Sequence, residues 1–323
     1  MRRKGCLVAG VLAALALLAA LVGGSMLFGS AQVEQDTSFI VPSGSTLTAV
    51  AEKLEEEGLI SSADGFLLRA KLLGGGDPIQ AGEFLLPAGI GQGGILDTFQ
   101  HGEVIRRFIT IPEGIPSIIV YERLMAEPML TGEIPVPDEG SVLPDTYDFE
   151  RGEARMAVLA RMQAAMRNYL AEAWPKRAPD IAVNDIEEAV ILASIVEKET
   201  GVPSERRMVA GLYSNRVKEG MFLQADPTII YPITKGKPLG RRIRQSEIAA
   251  INDYNTYSMA GLPKGPITNP GRESIAAVLN PEKTDALYMV ADGSGGHEFN
   301  SDYAAHQEAV DKWFELRRKR GEM

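Results

Sequence analysis

The sequence predicts an α+β protein in three parts: an N-terminal transmembrane helix, a small α+β subdomain and a larger mixed α/β domain. Three features predict this arrangement: an apolar N-terminal run, a close succession of short strand and helix patterns, and a later series of longer helical patterns. The predicted boundaries are 1–4 for a cytoplasmic tail, 5–28 for the membrane span, 29–38 for a linker, 39–107 for the subdomain and 108–323 for the larger domain.

The N-terminal segment joins a basic start to an uncharged run. Arg2, Arg3 and Lys4 precede residues 5–28, a run longer than the ~20 residues that a helix needs to cross a bilayer. Basic residues before the run and acidic residues after it place the N-terminus inside and the rest of the chain outside the cytoplasm. The sequence therefore predicts a single-pass inner-membrane protein, and the alternative is a signal peptide cleaved near residues 29–31.

Composition and motif content exclude several functional classes. The net charge of −10 argues against a nucleic-acid partner, because phosphate binding needs a basic face. The three histidines, at positions 101, 297 and 306, lack zinc-site spacing, and a single cysteine excludes an internal disulfide. Neither a Gly-x-Ser-x-Gly elbow nor a phosphate-binding Gly-x-x-x-x-Gly-Lys motif occurs. We therefore expect neither a metal nor a cofactor.

The subdomain begins with a strand pattern at Phe39–Val41, followed by helical patterns at 47–54 and 63–73 and a second strand pattern at 81–86. Thr46 is placed to cap the first of these helices. The order strand, helix, helix, strand resembles the small glycan-binding LysM module. Any other small α+β domain fits the pattern as well.

The larger domain contains helical patterns at 117–124, 153–174, 185–199 and 204–219, with a proline-rich surface connection at 126–145. We expect residues 223–228 to be extended and residues 261–271 to form a loop fixed by prolines and glycines. In the helix at 153–174, a methionine and leucine stripe predicts a core-facing side. The members of this stripe are Met156, Leu159, Met162, Met166 and Leu170.

The helix at 185–199 has the most unusual composition. Asp185 is a predicted N-cap, residues 189–196 are apolar on nearly every face, and charged residues arrive only at the C-terminal end. Leu192, Val196 and Glu199 share one face, so Glu199 continues an apolar stripe. Desolvation and the negative end of the helix dipole both raise the pKa of such a carboxyl group. Glu199 is therefore the predicted proton-transferring residue, against the alternative of a solvated carboxylate at a frayed helix end.

Glu197 lies about 200° around the helix from Glu199, so the two carboxylates cannot act as a facing pair. We expect Glu197 to hold substrate or to pair with Lys198 or Arg206. Downstream, polar and aromatic side chains gather in two segments, 223–228 and 254–257, whose tyrosine rings and amides suit the faces and hydroxyl rims of sugars. Hydrogen-bonded turns without a ligand would have a similar composition.

Several motifs together resemble the endolytic murein transglycosylase family (MltG or YceG-like). The resemblance extends from about residue 39 to the C-terminus, in the order of the family's motifs. The motifs are Ile111-Pro-Glu-Gly114, Leu143-Pro-Asp-Thr-Tyr147, Ile195-Val-Glu-Lys-Glu-Thr200, Asn215-Arg216, Leu223-Gln-Ala-Asp-Pro-Thr228, Tyr254-Asn-Thr-Tyr257, Gly261-Leu-Pro-Lys-Gly-Pro-Ile267, Leu287-Tyr-Met-Val290 and Gly296-His-Glu-Phe299.

The resemblance implies a LysM-like region and a catalytic domain on an inner-membrane anchor. It also implies non-hydrolytic cleavage of the MurNAc–GlcNAc bond of nascent peptidoglycan, which leaves a 1,6-anhydro end and limits strand length. The family's catalytic glutamate falls on Glu199, the residue that the helix pattern selects. Candidates for the wall of the cleft are Gln224, Asp226, Tyr254 and Asn255, with Glu197 as a further substrate-binding candidate.

Two other functions are compatible with these patterns. A membrane-tethered scaffold could bind peptidoglycan without cleaving it, and a true hydrolase would release reducing ends instead of anhydro ends. Peptidoglycan strands and the membrane are the expected partners, and peptidoglycan synthases are candidate protein partners.

Overall fold

The structure is a computed structural model that describes residues 32–322 together with Leu15 and Leu17. Helices and three two-stranded sheets alternate along the described chain, which confirms the predicted α+β class. The predicted membrane span, residues 5–28, lies outside the described residues apart from Leu15 and Leu17, which are helical. Among the residues that the structure describes, no helix has both the length and the apolar character needed to cross a membrane.

The chain divides into two compact units, Met1–Arg107 and Phe108–Met323. The first unit contains strands β1 (Thr37–Val41) and β2 (Gly82–Leu86) and helices α1 (Leu47–Glu56), α2 (Ala63–Leu73) and α3 (Gln92–His101). The two strands pair antiparallel, with Phe39 opposite Phe84. Phe99 from α3 packs between them, and its ring centroid lies 5.3 Å from that of Phe39 and 5.3 Å from that of Phe84.

Local chemistry explains the ends of the first two helices. Thr46 accepts a hydrogen bond from the Ala49 amide at 3.2 Å, and Ser62 accepts one from the Gly65 amide at 3.2 Å. These side chains satisfy amides that a helix start leaves without a partner. The predicted bounds of both helices are confirmed to within two residues. Leu73, the last residue of α2, is 59% exposed.

The second unit holds the longer helices. Strand β3 runs over Arg106–Ile111, begins at the end of the first unit and pairs with β4. The remaining elements are α4 (Ser117–Ala126), β4 (Asp145–Glu150), α5 (Arg155–Ala173), α6 (Ile186–Glu199), α7 (Arg206–Lys218), α8 (Asp226–Thr234), α9 (Gln245–Ile248), α10 (Arg272–Leu279), β5 (Tyr288–Ala291), β6 (His297–Asn300) and α11 (Tyr303–Lys319). Strands β5 and β6 form an antiparallel hairpin.

Helix α6 lies at the centre of the second unit. Asp185 caps it by accepting a hydrogen bond from the Glu188 amide at 2.8 Å, and every residue from Ala189 to Val196 is buried. Helices α7, α8 and α10 all contact it. A helix that is apolar on every face needs such neighbours on every side, so the prediction of a buried helix is confirmed.

Three local predictions are wrong. Residues from Asp226 onward are helical instead of extended, because Pro227 at the start of α8 has the backbone angle that a first helical turn requires. Residues 204 and 205, predicted as the start of a helix, belong instead to a short 3₁₀ turn, Pro203–Glu205. Met156 is 48% exposed, while the other four members of its stripe are buried. Met156 lies in the first turn of α5, where the helix has only just begun.

We expect Phe99→Ala to lower the free energy of unfolding of the first unit by about 3–5 kcal/mol, because the change leaves a cavity between Phe39 and Phe84. Leu85→Ala, at a 50% exposed position on β2, is the matched control and should change it by no more than about 0.5 kcal/mol. Denaturant unfolding measures both. Equal effects of the two variants would contradict this account of the core.

Candidate active site

Glu199 is the last residue of α6, and it is half-buried. Burial raises the pKa of Glu199 to about 7, and repulsion from Asp226 adds to the rise. A hydrogen bond from the Tyr213 hydroxyl and the charge of Arg216 act in the opposite direction. The balance leaves a carboxyl group that can both give and take a proton near neutral pH.

Helix α7 supplies the two groups that stabilise the ionised form of Glu199. Tyr213 is 2% exposed, and a tyrosine buried this deeply needs a partner for its hydroxyl, which Glu199 provides. Arg216 is 8% exposed and donates from Nε to the Leu287 carbonyl at 2.6 Å and from Nη1 to the Leu223 carbonyl at 2.7 Å. Arg216 therefore ties α7 to the start of the β5–β6 hairpin and to the segment before α8.

Asp226 begins α8 and faces the same site. The Tyr257 hydroxyl donates to Asp226 Oδ1 at 2.7 Å. Behind this pair, the hydroxyl oxygens of Thr228 and Thr256 lie 2.9 Å apart, and both residues are fully buried. Thr256 Oγ1 also accepts a hydrogen bond from the Ala225 amide at 3.1 Å. These buried contacts hold the segments 223–228 and 254–257 together as one wall beside Glu199.

Gln224 has a backbone angle that is rare for its residue type. Its φ is 53°, in the left-handed region, and its backbone N–H donates to the Thr256 carbonyl at 3.1 Å. The neighbouring Leu223 and Ala225 are fully buried, whereas Gln224 is exposed. Such a conformation costs on the order of 1 kcal/mol and persists only where the surroundings enforce it. The buried neighbours hold the backbone in this conformation, and the side-chain amide of Gln224 therefore faces solvent next to Asp226.

Tyr254 and Asn255, both predicted to line the cleft, have different surroundings in the structure. Tyr254 is half-buried, and its ring packs on that of Tyr231 with centroids 4.8 Å apart. Asn255 is fully buried, and its side-chain nitrogen donates to the carbonyls of Ala250 at 2.6 Å and Ile248 at 2.9 Å. The side-chain amide of Asn255 binds backbone carbonyls and so shapes the loop, and its position gives no support to the predicted contact with substrate.

Glu197, a predicted substrate-binding residue, connects α6 to a loop. Its Oε2 accepts a hydrogen bond from the Gly271 amide at 3.0 Å, and its Cγ lies against Gly114. The bond fixes the end of the 261–271 loop to α6. Among the described residues, Glu197 forms no ion pair with Lys198 or Arg206, and Lys198 donates to the Gly114 carbonyl instead.

Two further polar contacts were not predicted from the sequence. Glu139, in the 126–145 connection, accepts a hydrogen bond from the Ser117 amide at 2.8 Å and one from the Tyr231 hydroxyl, and burial raises its pKa to about 7. Glu205 accepts from the amide of His297 at 2.8 Å, and its other oxygen lies 2.8 Å from Nδ1 of the same histidine. The contacts of Glu139 hold Tyr231 in place against Tyr254. Those of Glu205 hold the start of β6. No sequence signal marks Glu139, because its burial depends on a loop.

The site is an acid–base centre built from protein groups. Within the described residues, no group of three or more histidine, cysteine, aspartate or glutamate side chains could hold a metal ion. The components are one carboxyl group with a pKa near 7, a second carboxylate near it, an exposed amide and half-buried tyrosine rings. This arrangement can protonate a poor leaving group and then recover the proton.

The profile of the YceG-like family matches residues 39–312. The chain belongs to the YceG-like family. It is similar to the endolytic murein transglycosylase of Bacillus subtilis, with 27% identity over 91% of this chain and 91% of that protein. It is also similar to the endolytic murein transglycosylase of Streptococcus pneumoniae, with 28% identity over 84% of this chain and 56% of that protein. The family membership predicted from the motifs is therefore confirmed.

The fold is also similar to that of a solved family member. A 2.6 Å crystal structure of a YceG-like protein from Listeria monocytogenes superposes with a TM-score of 0.51 at 24% identity, and the match covers 85% of this chain and 98% of that one.

Two variants should move the pKa of Glu199 in opposite directions. Asp226→Asn removes a repulsion and should lower this pKa below about 7, whereas Tyr213→Phe removes a hydrogen bond to the carboxylate and should raise it. Titration of the glutamate carboxyl carbons by NMR measures both shifts. The Glu139 resonance, with a pKa also of about 7, is the internal control and should not move in Asp226→Asn. Shifts of Glu199 in the same direction in both variants would contradict the proposed electrostatics.

Proposed function

We propose that this protein is an endolytic lytic transglycosylase that cleaves the MurNAc–GlcNAc bond of nascent peptidoglycan and so limits strand length. The observation that carries the proposal is the buried Glu199 carboxyl group with a pKa of about 7, located beside a wall of polar and aromatic groups. Membership in the YceG-like family and the similarity to proteins named endolytic murein transglycosylase support the same function.

In the proposed reaction, protonated Glu199 donates its proton to the glycosidic oxygen as positive charge develops at the anomeric carbon of MurNAc. The resulting Glu199 carboxylate then takes the proton of the C6 hydroxyl group of the same sugar. The C6 oxygen bonds to the anomeric carbon, which closes the 1,6-anhydro ring and returns Glu199 to its acid form. Because the nucleophile belongs to the substrate, the reaction needs no attacking water and no second catalytic carboxylate.

The neighbouring groups match this cycle. The acid form of Glu199 predominates below pH 7, so the first proton transfer should slow as the pH rises through about 7. Tyr213 and Arg216 stabilise the carboxylate that forms after the transfer. We propose that Gln224, Asp226 and Tyr254 contact the sugars, because all three offer accessible groups on the wall beside Glu199.

We further propose a LysM-like role in glycan binding for the unit that contains residues 39–107. Its order of strand, helix, helix and strand, with β1 and β2 paired antiparallel, supports this role. Co-sedimentation of a Glu199→Gln protein with purified peptidoglycan would measure binding without cleavage. The unit that contains residues 108–323 holds Glu199 and is the proposed catalytic domain.

Glu199→Gln should lower the rate of glycan cleavage by about 10²- to 10⁴-fold, because the amide cannot transfer a proton. Its fold should persist, since the amide has the volume of the carboxyl group. Mass spectrometry of products from uncrosslinked glycan strands provides the measurement, and wild-type protein should release anhydro-MurNAc ends.

The matched control is Glu187→Gln, an exposed position in the first turn of the same helix, which should cleave at the wild-type rate. Cleavage by Glu199→Gln at the wild-type rate would show that Glu199 is not the proton-transferring residue. Reducing MurNAc ends would identify a hydrolase, and no cleavage by wild-type protein would favour the scaffold.

We propose that residues 5–28 anchor the protein in the inner membrane with the remaining chain on its outer side. The basic residues Arg2–Lys4 and the uncharged run that follows support this topology. The full chain should remain with membranes after an alkaline carbonate wash, and a chain that begins at Gln32 should not. Recovery of a shortened, soluble product from the full-length gene would instead identify a cleaved signal peptide.

A further inference from the structure

In the described part of the chain, the hydrogen bonds of Arg216 all go to uncharged groups, although its guanidinium is buried. The residue is 8% exposed, and it donates to the backbone carbonyls of Leu287 at 2.6 Å, Leu223 at 2.7 Å and Phe222 at 3.4 Å. Because a carbonyl carries no net charge, these bonds fix the direction of the side chain and leave its positive charge to act on other groups nearby.

The charge of Arg216 acts on the acid–base centre. Tyr213, whose hydroxyl donates to Glu199, lies three residues before Arg216 in α7, so the two side chains share one face of that helix. The separation between the guanidinium and the carboxyl group therefore helps to set the proton affinity of Glu199. Asp226 of α8 also faces Glu199, and the ionisable groups that face Arg216 are Glu199 (α6), Tyr213 (α7), Tyr257 (the 254–257 segment), Tyr288 (β5) and His306 (α11).

The ring of Tyr288 supports the guanidinium of Arg216. The central carbon of the guanidinium lies 5.5 Å from the ring centroid, within the distance at which the face of an aromatic ring attracts a cation. Tyr288 begins β5 and directly follows Leu287, whose carbonyl accepts the hydrogen bond from Nε of Arg216. One short segment therefore supplies both a hydrogen bond and an aromatic ring to the same side chain.

Helix α11 holds Tyr288 in place. The imidazole of His306 stacks on the Tyr288 ring, with centroids 5.2 Å apart and 22° between the ring planes, and the Tyr303 ring lies 5.7 Å from Tyr288 at 60°. Burial and the charge of Arg216 lower the pKa of His306, so its imidazole is neutral near pH 7 and does not repel the guanidinium. A continuous set of contacts thus runs from α11 through β5 to Arg216 in α7.

We propose that Tyr288 and His306 are positioning residues of the acid–base centre, which hold the guanidinium of Arg216 where it supports the carboxylate form of Glu199. The proposal rests on the proposed function, since this carboxylate is the species that forms when Glu199 gives its proton to the glycosidic oxygen. The C-terminal helix thereby helps to set the proton affinity of a residue in a distant part of the chain.

The experiment measures the pH dependence of kcat/KM on uncrosslinked glycan strands, whose descending limb reports the pKa of Glu199 in the free enzyme. The charge of Arg216 lowers this pKa, so a variant that loosens the guanidinium should raise the pKa and move the limb to higher pH. We expect Tyr288→Leu to raise the midpoint by about 0.5 and Arg216→Gln to raise it by about 1 or more, as for loss of an opposite charge beside a carboxyl group. Tyr288→Phe keeps the ring and should keep the wild-type midpoint.

A double variant separates positioning from a general loss of packing. If Tyr288 acts through Arg216, then Tyr288→Leu should cause no further shift of the midpoint in an Arg216→Gln background. The matched control is Tyr303→Leu, which removes a 60% exposed ring from the same cluster and should keep the wild-type midpoint. Circular dichroism melting verifies the folding of each variant. His306→Leu, at a half-buried position, should also raise the midpoint and is the decisive variant if Tyr288→Leu unfolds.

NMR titration of the Glu199 carboxyl carbon in the same variants measures the shift without substrate and separates this proposal from the proposed function. A midpoint that neither Tyr288→Leu nor His306→Leu moves would overturn the positioning role, while cleavage by wild-type protein upheld the transglycosylase. A Tyr288→Leu shift that persists in the Arg216→Gln background would overturn it as well. Absence of cleavage by wild-type protein would overturn the proposed function, and the NMR shifts would still decide whether the two residues position Arg216.

Discussion

The burial of one carboxyl group at the end of α6 is the constraint on which the site depends. An ionised glutamate in that position loses its hydration, so the fold must either neutralise it or surround it with donors. The structure does both in part: Tyr213 and Arg216 support the charge, while Asp226 and burial oppose it. The pKa of about 7 is the result of this opposition, and a carboxyl group with this pKa can both give and take a proton near neutral pH.

The rest of the second unit holds the side chains of Glu199, Tyr213, Arg216 and Asp226 in position. The apolar length of α6 fixes the axis on which Glu199 lies, and α7 packs against it with Tyr213 and Arg216 on the shared side. Arg216 then holds Leu223, and the buried Thr228–Thr256 contact holds the segment that follows. Each contact orders groups that are distant in sequence. Rigid elements are needed here because a misplacement of about 1 Å in reacting groups costs a large part of the rate.

Hydrogen bonds to backbone groups define the surroundings of the site as much as side-chain pairs do. Asn255 and Glu197 are polar residues of the predicted site, yet both form hydrogen bonds with backbone atoms of loops. Glu139 has a similar function beneath the Tyr231–Tyr254 ring pair. Fewer polar side chains are therefore free to contact a ligand than the composition of these segments suggests.

The sequence by itself determined the α+β class, most helix bounds and the burial of α6, because these follow from periodicity and capping within short segments. The same patterns singled out Glu199 as the predicted acid. It could not separate Asp226 and Gln224, which face the site, from Asn255, which is buried in a loop. It could not find Tyr213, Arg216 or Glu139 as members of the site. Only the tertiary structure decided these roles, because burial and charge contacts arise between segments that are far apart in the chain and leave no local pattern.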